Sequence, residues 1–174
     1  INITFSKNVN DFIESDIIIT NGKIDQFSGG GSNYEFYLNP DSDGEVTVKI
    51  NANTASDSDG NGNYQSKLFS VLYDRTSPEV ILSTNVETPT QLKSIPMYLT
   101  FSEPIVNVHK LDFSITNGEI KNIQGFNTSY TFDIIPIKAG YIGLSIPAGK
   151  IKDSAGNGNV ASEYFTIKYD NNIY

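Results

Sequence analysis

The sequence predicts an all-β fold, organised as two antiparallel β-sandwiches in tandem. Ile, Val, Thr, Tyr and Phe dominate the apolar residues, and these β-branched and aromatic side chains favour strands. Asn, Gly, Ser and Asp supply frequent turn signals, and no stretch shows the sustained 3.6-residue apolar period of a helix. The chain has 174 residues, which is enough for two domains of ordinary size.

The chain repeats itself at an offset of 96 residues, so that residues 1–74 align with residues 97–170 without a gap. At this offset 26 of the 74 aligned positions are identical. A solenoid unit has roughly 20–50 residues, so a repeat of this length suits an independently folding sandwich instead. We therefore expect repeat 1 at residues 1–74, a short linker at 75–78 and repeat 2 at residues 79–174.

Residues 77–96 precede the repeated part of the second copy and have no counterpart in the first. They contain "PEVILST" at 78–84, an apolar run that predicts a strand along one edge of the sandwich. We therefore expect repeat 1 to be a truncated copy that lacks its opening strand. Such a copy has an unpaired edge, and unpaired edges invite pairing with another chain. The sequence also predicts that the chain is a slice of a longer array.

Each copy alternates short predicted strands with turn signals, and a complete copy has about seven strands. "YEFYL" at 34–38 and "EVTVKI" at 45–50 alternate between core-facing and polar positions, as half-buried strands do. The Asn-Gly pairs at 21–22 and 117–118 suit type I′ turns, which predicts a hairpin between the flanking strands in both copies. Seven short antiparallel strands favour two sheets packed face to face.

Aromatic residues recur at matching strand positions of the two copies. Because they alternate with polar residues, we interpret them as core residues and not as an exposed platform for sugar rings. The absence of tryptophan points the same way. The matching residues are Phe5, Tyr34, Phe36, Phe69 and Tyr73 in the first copy, and Phe101, Tyr130, Phe132, Phe165 and Tyr169 in the second.

The composition also bears on the function classes that the chain can serve. A net charge of −8 disfavours a nucleic-acid partner, and the longest apolar run is too short to insert into a membrane. The chain has no cysteine, and its single histidine, His109, is matched by Ile13 in the first copy. A catalytic site with a histidine-activated nucleophile therefore cannot be common to the two copies. We expect no catalytic residues and no organic cofactor.

Two acidic loops of nearly the same sequence carry the strongest metal-site signal: "DSDGNGN" at 57–63 and "DSAGNGN" at 153–159. Calcium takes six to eight oxygen ligands, which Asp and Asn supply. An EF-hand is excluded, because its twelfth loop position would be Leu68 in place of glutamate. Two interpretations stay open: a calcium site assembled from several loops, and plain turns in which Asp and Asn bond their own backbone.

The tentative calcium ligands are Asp57, Asp59, Asn61, Asp74, Glu103, Asp112, Asp153, Asn157 and Asp170. Lys7 stands where the second copy has Glu103, and would spoil the equivalent site in the first.

Four segments resemble the bacterial immunoglobulin-like repeats of large surface and secreted proteins: "LTFSEPI" (99–105), "DFSITNG" (112–118), "IPAGKIKDSAGNGN" (146–159) and "YDRTSP" (73–78). The resemblance implies an extracellular β-sandwich strung in tandem with neighbouring repeats of the same chain. Such repeats are often found in adhesins that reach a host or cell-surface ligand through other domains, are sometimes calcium-stabilised, and are rarely catalytic. The implied function is a structural spacer in a cell-surface adhesin. The alternative is a ligand- or carbohydrate-binding accessory module of a secreted protein.

Overall fold

The computed structural model describes residues 1–171 and divides the chain into two compact units. Unit 1 comprises Ile1–Asp74 and unit 2 comprises Arg75–Tyr174. All the sheets of the described residues are built from antiparallel strands, and the helical structure there is limited to two 3-10 turns. The prediction of an all-β fold is therefore confirmed. Among residues 1–171, no helix has the length and apolarity to span a membrane.

Unit 1 consists of five strands in two sheets. The strands are β1 (Asn2–Val9), β2 (Ile17–Thr20), β3 (Gly22–Pro40), β4 (Gly44–Ile50) and β5 (Phe69–Tyr73). β1 pairs with β3 in one sheet, and the other sheet has the order β2-β4-β5. A 3-10 turn, Glu14–Asp16, precedes β2.

The described part of unit 2, residues 75–171, consists of seven strands in two sheets. The strands are β6 (Val80–Ser83), β7 (Ile95–Phe101), β8 (Ser114–Thr116), β9 (Gly118–Phe126), β10 (Ser129–Pro136), β11 (Gly140–Ser145) and β12 (Phe165–Tyr169). One sheet has the order β6-β7-β10-β9 and the other has the order β12-β11-β8. The prediction of seven strands in two antiparallel sheets is thus confirmed for the complete copy.

The hairpins predicted at the two Asn-Gly pairs are wrong. β2 pairs with β4 and β3 pairs with β1, so the strands that flank Asn21 lie in different sheets. A type I′ turn needs positive φ at both central residues. Only Asn21 has it, at 58°, and its side-chain Nδ2 donates to the carbonyl of Ser42 at 2.8 Å. The Asn-Gly pair therefore carries the chain from one sheet to the other.

Close packing explains the glycine that follows this turn in the second copy. A Cβ at Gly118 would lie 2.9 Å from Cγ2 of Ile134 and 3.2 Å from Cδ1 of Ile115. Real Cβ atoms rarely come this close to another atom, so the crossover leaves room for glycine alone.

The core of unit 2 forms where its two sheets face each other. Ile95, Met97 and Leu99 alternate inward along β7, and Ile142 and Leu144 extend inward from β11. All five side chains are essentially inaccessible to solvent. Their alternation with exposed residues along β7 is what a strand with one buried face requires.

The aromatic core prediction holds for most of the matched residues and fails at one. Phe36 and Phe132 are buried at the same position of the two units, as are Tyr34 and Tyr130. Phe69 in β5 is 43% exposed instead. The remaining matched residues are Phe101 and Tyr169, which are buried, and Phe5, Tyr73 and Phe165, which are partly buried.

Candidate functional site

The acidic loop of unit 1 is a tightly hydrogen-bonded turn centred on Asp57. Oδ1 of Asp57 accepts hydrogen bonds from the backbone N–H groups of Asp59 at 3.0 Å and Asn61 at 2.9 Å. The Asn61 side-chain Nδ2 donates to both carboxylate oxygens at 3.1 Å. Gly60 takes a positive φ of 82°, which a glycine adopts without strain. The motif residues therefore hold the turn together.

A lysine ammonium lies against the same carboxylate. Nζ of Lys7, at the end of β1, is 3.1 Å from Oδ2 of Asp57. The backbone N–H and side chain of Asn61, and then the Lys7 ammonium, lower the pKa of Asp57 far below its ordinary value. The negative charge of this loop is thus already matched by a cation from the chain itself.

The acidic loop of unit 2 repeats this turn in a more buried setting. Asn157 donates its backbone N–H to Oδ1 of Asp153 and its side-chain Nδ2 to Oδ2, both at 2.8 Å. Burial of Asp153 on its own would raise the pKa of the carboxyl group. The donors from Asn157, with the N–H groups of Gly156 and Ala155, outweigh that effect and lower the pKa. Asp153 is therefore a buried carboxylate that stays charged.

Lysine in unit 1 corresponds to glutamate in unit 2, and this exchange changes the electrostatics of the loop. Glu103 occupies the position of Lys7 at the offset of 96 residues. Carboxylate oxygens of Glu103 and Asp153 lie within 4.8 Å of each other, and Oε1 of Glu103 is shielded from solvent. Unit 1 thus pairs a carboxylate with an ammonium at the place where unit 2 brings two carboxylates together.

An asparagine at the end of each loop bonds to the backbone on both sides of the loop, a role that the sequence did not predict. Asn159 is buried, and its Oδ1 accepts the N–H of Ile151 at 2.8 Å, while Nδ2 donates to the carbonyl groups of Pro147 and Val160. Asn63 makes the corresponding bonds in unit 1. The signal was available, because this residue is identical in the two copies.

The other tentative calcium ligands differ in exposure and in hydrogen bonding. Asp59 is exposed, and Asp74 is the half-buried last residue of unit 1. Oδ2 of Asp112 accepts the N–H of His109 at 2.7 Å and so caps a 3-10 turn. The N–H of Asp170 donates to the carbonyl of Thr90 at 2.8 Å.

The arrangement of strands defines an immunoglobulin-like β-sandwich. When the seven strands of unit 2 are lettered A to G in chain order, the sheets read A-B-E-D and G-F-C, the arrangement of constant-type immunoglobulin domains. Residues 1–71 match the family model described as a bacterial Ig-like domain. The predicted resemblance is confirmed over these residues, which form a bacterial Ig-like structural module. A search among curated proteins found no match.

Proposed function

We propose that the chain is a non-catalytic spacer segment of an extracellular adhesin, with unit 2 stabilised by calcium. The observation that carries the spacer proposal is the use made of polar residues that are identical in both copies. Three of these identical pairs bond to the backbone of their own unit and so stabilise the fold. The three pairs are Asn21 and Asn117, Asp57 and Asp153, and Asn63 and Asn159.

Exposed aromatic residues favour the spacer over the carbohydrate-binding alternative. Tyr37 and Tyr64 are well exposed in unit 1, but Asp133 and Val160 stand at the matching positions of unit 2. Stacking on a sugar ring requires an accessible aromatic face, and the two copies share none at these positions. We therefore expect the chain to leave an array of glycans unbound. Saturable, specific binding to one glycan class would favour the accessory-module function instead.

A spacer that carries mechanical tension needs units that unfold separately under force, and single-molecule stretching tests this. At roughly 3.4 Å per extended residue, unfolding of Ile1–Asp74 releases about 25 nm of chain, and unfolding of Arg75–Tyr174 releases about 34 nm. We expect two unfolding events with increments near these lengths. A single event at their sum would contradict the proposal. Antibody labelling of intact source cells tests the extracellular location.

The proposed calcium ion belongs to the second loop, because its donor set fits a divalent cation. Calcium–oxygen distances are about 2.3–2.6 Å, so two oxygens that share one ion lie up to about 5 Å apart. The carboxylates of Glu103 and Asp153 satisfy this limit. Calcium would supply the positive charge that offsets two adjacent carboxylates, and further ligands would come from carbonyl groups and water.

The first loop does not fit calcium, because an internal cation is already in place. The Lys7 ammonium lies 3.1 Å from Oδ2 of Asp57. A calcium ion would have to displace a lysine that is covalently part of the unit. We therefore expect isothermal titration of the chelator-treated chain with calcium to give one bound ion per chain. Zero or two ions would contradict the assignment.

A further inference from the structure

Asparagine followed by glycine is a dipeptide that loses ammonia spontaneously, and the chain contains four such pairs. They stand at 21–22, 61–62, 117–118 and 157–158. The backbone nitrogen of the glycine reaches Cγ of the asparagine, because glycine has no side chain to obstruct the approach. Since the dipeptide is the same in all four pairs, the fold decides how their reactivity differs.

The reaction joins the backbone nitrogen of the glycine to Cγ of the asparagine, after that nitrogen has lost its proton to a base in solution. The Cγ–Nδ2 bond breaks, Nδ2 leaves as ammonia with a proton from water, and a succinimide ring results. Water then opens the ring at either carbonyl carbon and gives aspartate or isoaspartate. Each conversion consumes one water molecule and releases one ammonia molecule, without oxidation or reduction.

The two asparagines at the crossovers between sheets are held at both ends of the side-chain amide. Oδ1 of Asn21 accepts the N–H of Ser42 at 3.2 Å, and Nδ2 donates to the carbonyl of Ser42 at 2.8 Å. Asn117 makes the same two bonds with Lys138, at 3.2 Å and 2.9 Å. Gly118 is also buried. Turning Cγ toward the next nitrogen would break both bonds, so these two pairs are protected.

Asn61 and Gly62 lack this protection, and both are exposed. Nδ2 of Asn61 donates to the Asp57 carboxylate, but within residues 1–171 its Oδ1 accepts no hydrogen bond. Gly62 forms an isolated antiparallel bridge with Ser56, and the backbone bonds of that bridge are made by the residues on either side. The N–H of Gly62 therefore points away from the bridge, where a base in solution reaches it.

The charges near Asn61 favour the reaction. Ring closure passes through a deprotonated nitrogen and a negatively charged oxygen on Cγ, and ring opening leaves an additional carboxylate. The Lys7 ammonium lies 3.1 Å from Oδ2 of Asp57, the same oxygen that accepts Nδ2 of Asn61. A positive charge in this position stabilises negative charge that develops beside it.

The surroundings of the matching asparagine in unit 2 oppose the reaction. Asn157 is half-buried, and its backbone N–H and Nδ2 both bond to Asp153 at 2.8 Å. Glu103 takes the place of Lys7, and carboxylate oxygens of Glu103 and Asp153 lie within 4.8 Å of each other. Two carboxylates disfavour a further negative charge. Asn157 is therefore protected by burial and by charge.

We propose that Asn61 is a self-modification site, which converts to aspartate and isoaspartate while the other three Asn-Gly pairs of the folded chain persist. Either product puts a carboxylate where the amide of Asn61 donates to both oxygens of Asp57. Isoaspartate also lengthens the main chain by one atom before Gly62. The acidic loop of unit 1 thus loses its internal bonds as the molecule ages, and the loop of unit 2 keeps them.

Peptide mapping by mass spectrometry tests the proposal on the full chain, incubated in chelator at mildly alkaline pH. Conversion at each pair appears as the mass gained when the amide becomes a carboxyl group, and chromatography separates isoaspartate from aspartate. We expect Asn61 to convert about tenfold faster than Asn157, and faster still than Asn21 and Asn117. In guanidinium chloride, which unfolds the chain, we expect all four to convert at similar rates.

Two lysine substitutions test the electrostatic part of the proposal. Lys7→Gln is expected to slow the conversion of Asn61 about threefold, because it removes the nearby positive charge. Lys23→Gln is the matched control, because Lys23 forms an ion pair of the same length, 3.1 Å, with Asp41. We expect it to leave the rate at Asn61 unchanged. If Lys7→Gln unfolds unit 1, the comparison of folded and unfolded wild type still decides the question.

Three results would overturn the proposal. They are another pair that converts as fast as Asn61 in the folded chain, the same order of rates in guanidinium chloride, and equal effects of the two lysine substitutions. In the converted chain, the amide of Asp59, which donates to Asp57, is expected to exchange its hydrogen faster. Unchanged exchange there would overturn the loss of bonding in the loop.

Discussion

The exchange of lysine for glutamate between the two units gives a reciprocal test of the calcium proposal. Glu103→Lys gives unit 2 the charge arrangement of unit 1, and Lys7→Glu gives unit 1 that of unit 2. In the wild type, two carboxylates lie within 4.8 Å in unit 2. Coulomb's law gives a repulsion of about 0.9 kcal/mol at this distance with a dielectric constant of 80, and about 3.5 kcal/mol with a dielectric constant of 20.

The expected result is a change in calcium response with little change in fold. In chelator, Glu103→Lys is expected to raise the unfolding free energy of unit 2 by at least about 1 kcal/mol, because repulsion becomes attraction. This corresponds to a rise of about 4–8 °C in melting temperature. In calcium at a hundredfold excess over the dissociation constant, wild-type unit 2 gains about 2.7 kcal/mol, and the variant gains nothing. Lys7→Glu is expected to destabilise unit 1 in chelator and to make its melting temperature respond to calcium.

Calorimetry in calcium and in chelator measures these shifts, with hydrogen exchange used to assign each transition to its unit. Lys67 and Glu163 supply matched controls, because they are another Lys–Glu pair at the offset of 96 residues and both are exposed. Lys67→Glu and Glu163→Lys therefore make the same charge changes away from the loops. Wild-type melting that is identical in calcium and chelator would refute the reasoning, as would a Glu103→Lys variant that keeps the full response.

Three further predictions concern stability. Asn159→Ala leaves buried backbone groups without their partner, so we expect urea unfolding to show a loss of about 3 kcal/mol in the free energy of unfolding. The exposed Ser154→Ala is the control and is expected to leave the free energy of unfolding unchanged, and equal effects of the two substitutions would contradict the role given to Asn159. Gly118→Ala is expected to lower the free energy of unfolding by about 1–3 kcal/mol, because the added methyl group clashes with the core. Gly30→Ala is the control and is expected to leave stability unchanged, because a Cβ there meets nothing within 4 Å. A stable Gly118→Ala variant would show that the crossover tolerates a side chain. The pKa of Asp57 is lowered in the folded state, so its ionised carboxylate contributes to the free energy of unfolding above pH 3.8, and this contribution is lost as the pH falls below that value. Urea unfolding between pH 5 and pH 2 should therefore show a shallower decline in stability for Asp57→Asn than for the wild type. Parallel declines would exclude this linkage.

The backbone conformation of the Asn-Gly turn was predictable from the sequence, but the pairing of the strand that follows the turn was not. The sequence correctly marks Asn21 as a residue with positive φ. It does not say whether the next strand returns beside the previous one or crosses to the other sheet. That choice depends on which partner strand allows the apolar face of each strand to be buried. For β2 this partner is β4. The hairpin prediction failed because it used a local signal for a non-local pairing.

The repetition at 96 residues, the all-β class and the loop motifs followed from the sequence by itself, because strand alternation and turn residues are local patterns. Tertiary structure alone decided which charges meet. Lys7 and Asp57 are 50 residues apart in the chain, yet their charged atoms lie 3.1 Å apart. It also decided that Phe69 is exposed while its counterpart Phe165 is partly buried. The physical reason is the same in each case: burial and ion pairing depend on which segments pack together, and the residue pattern of one strand does not contain that information.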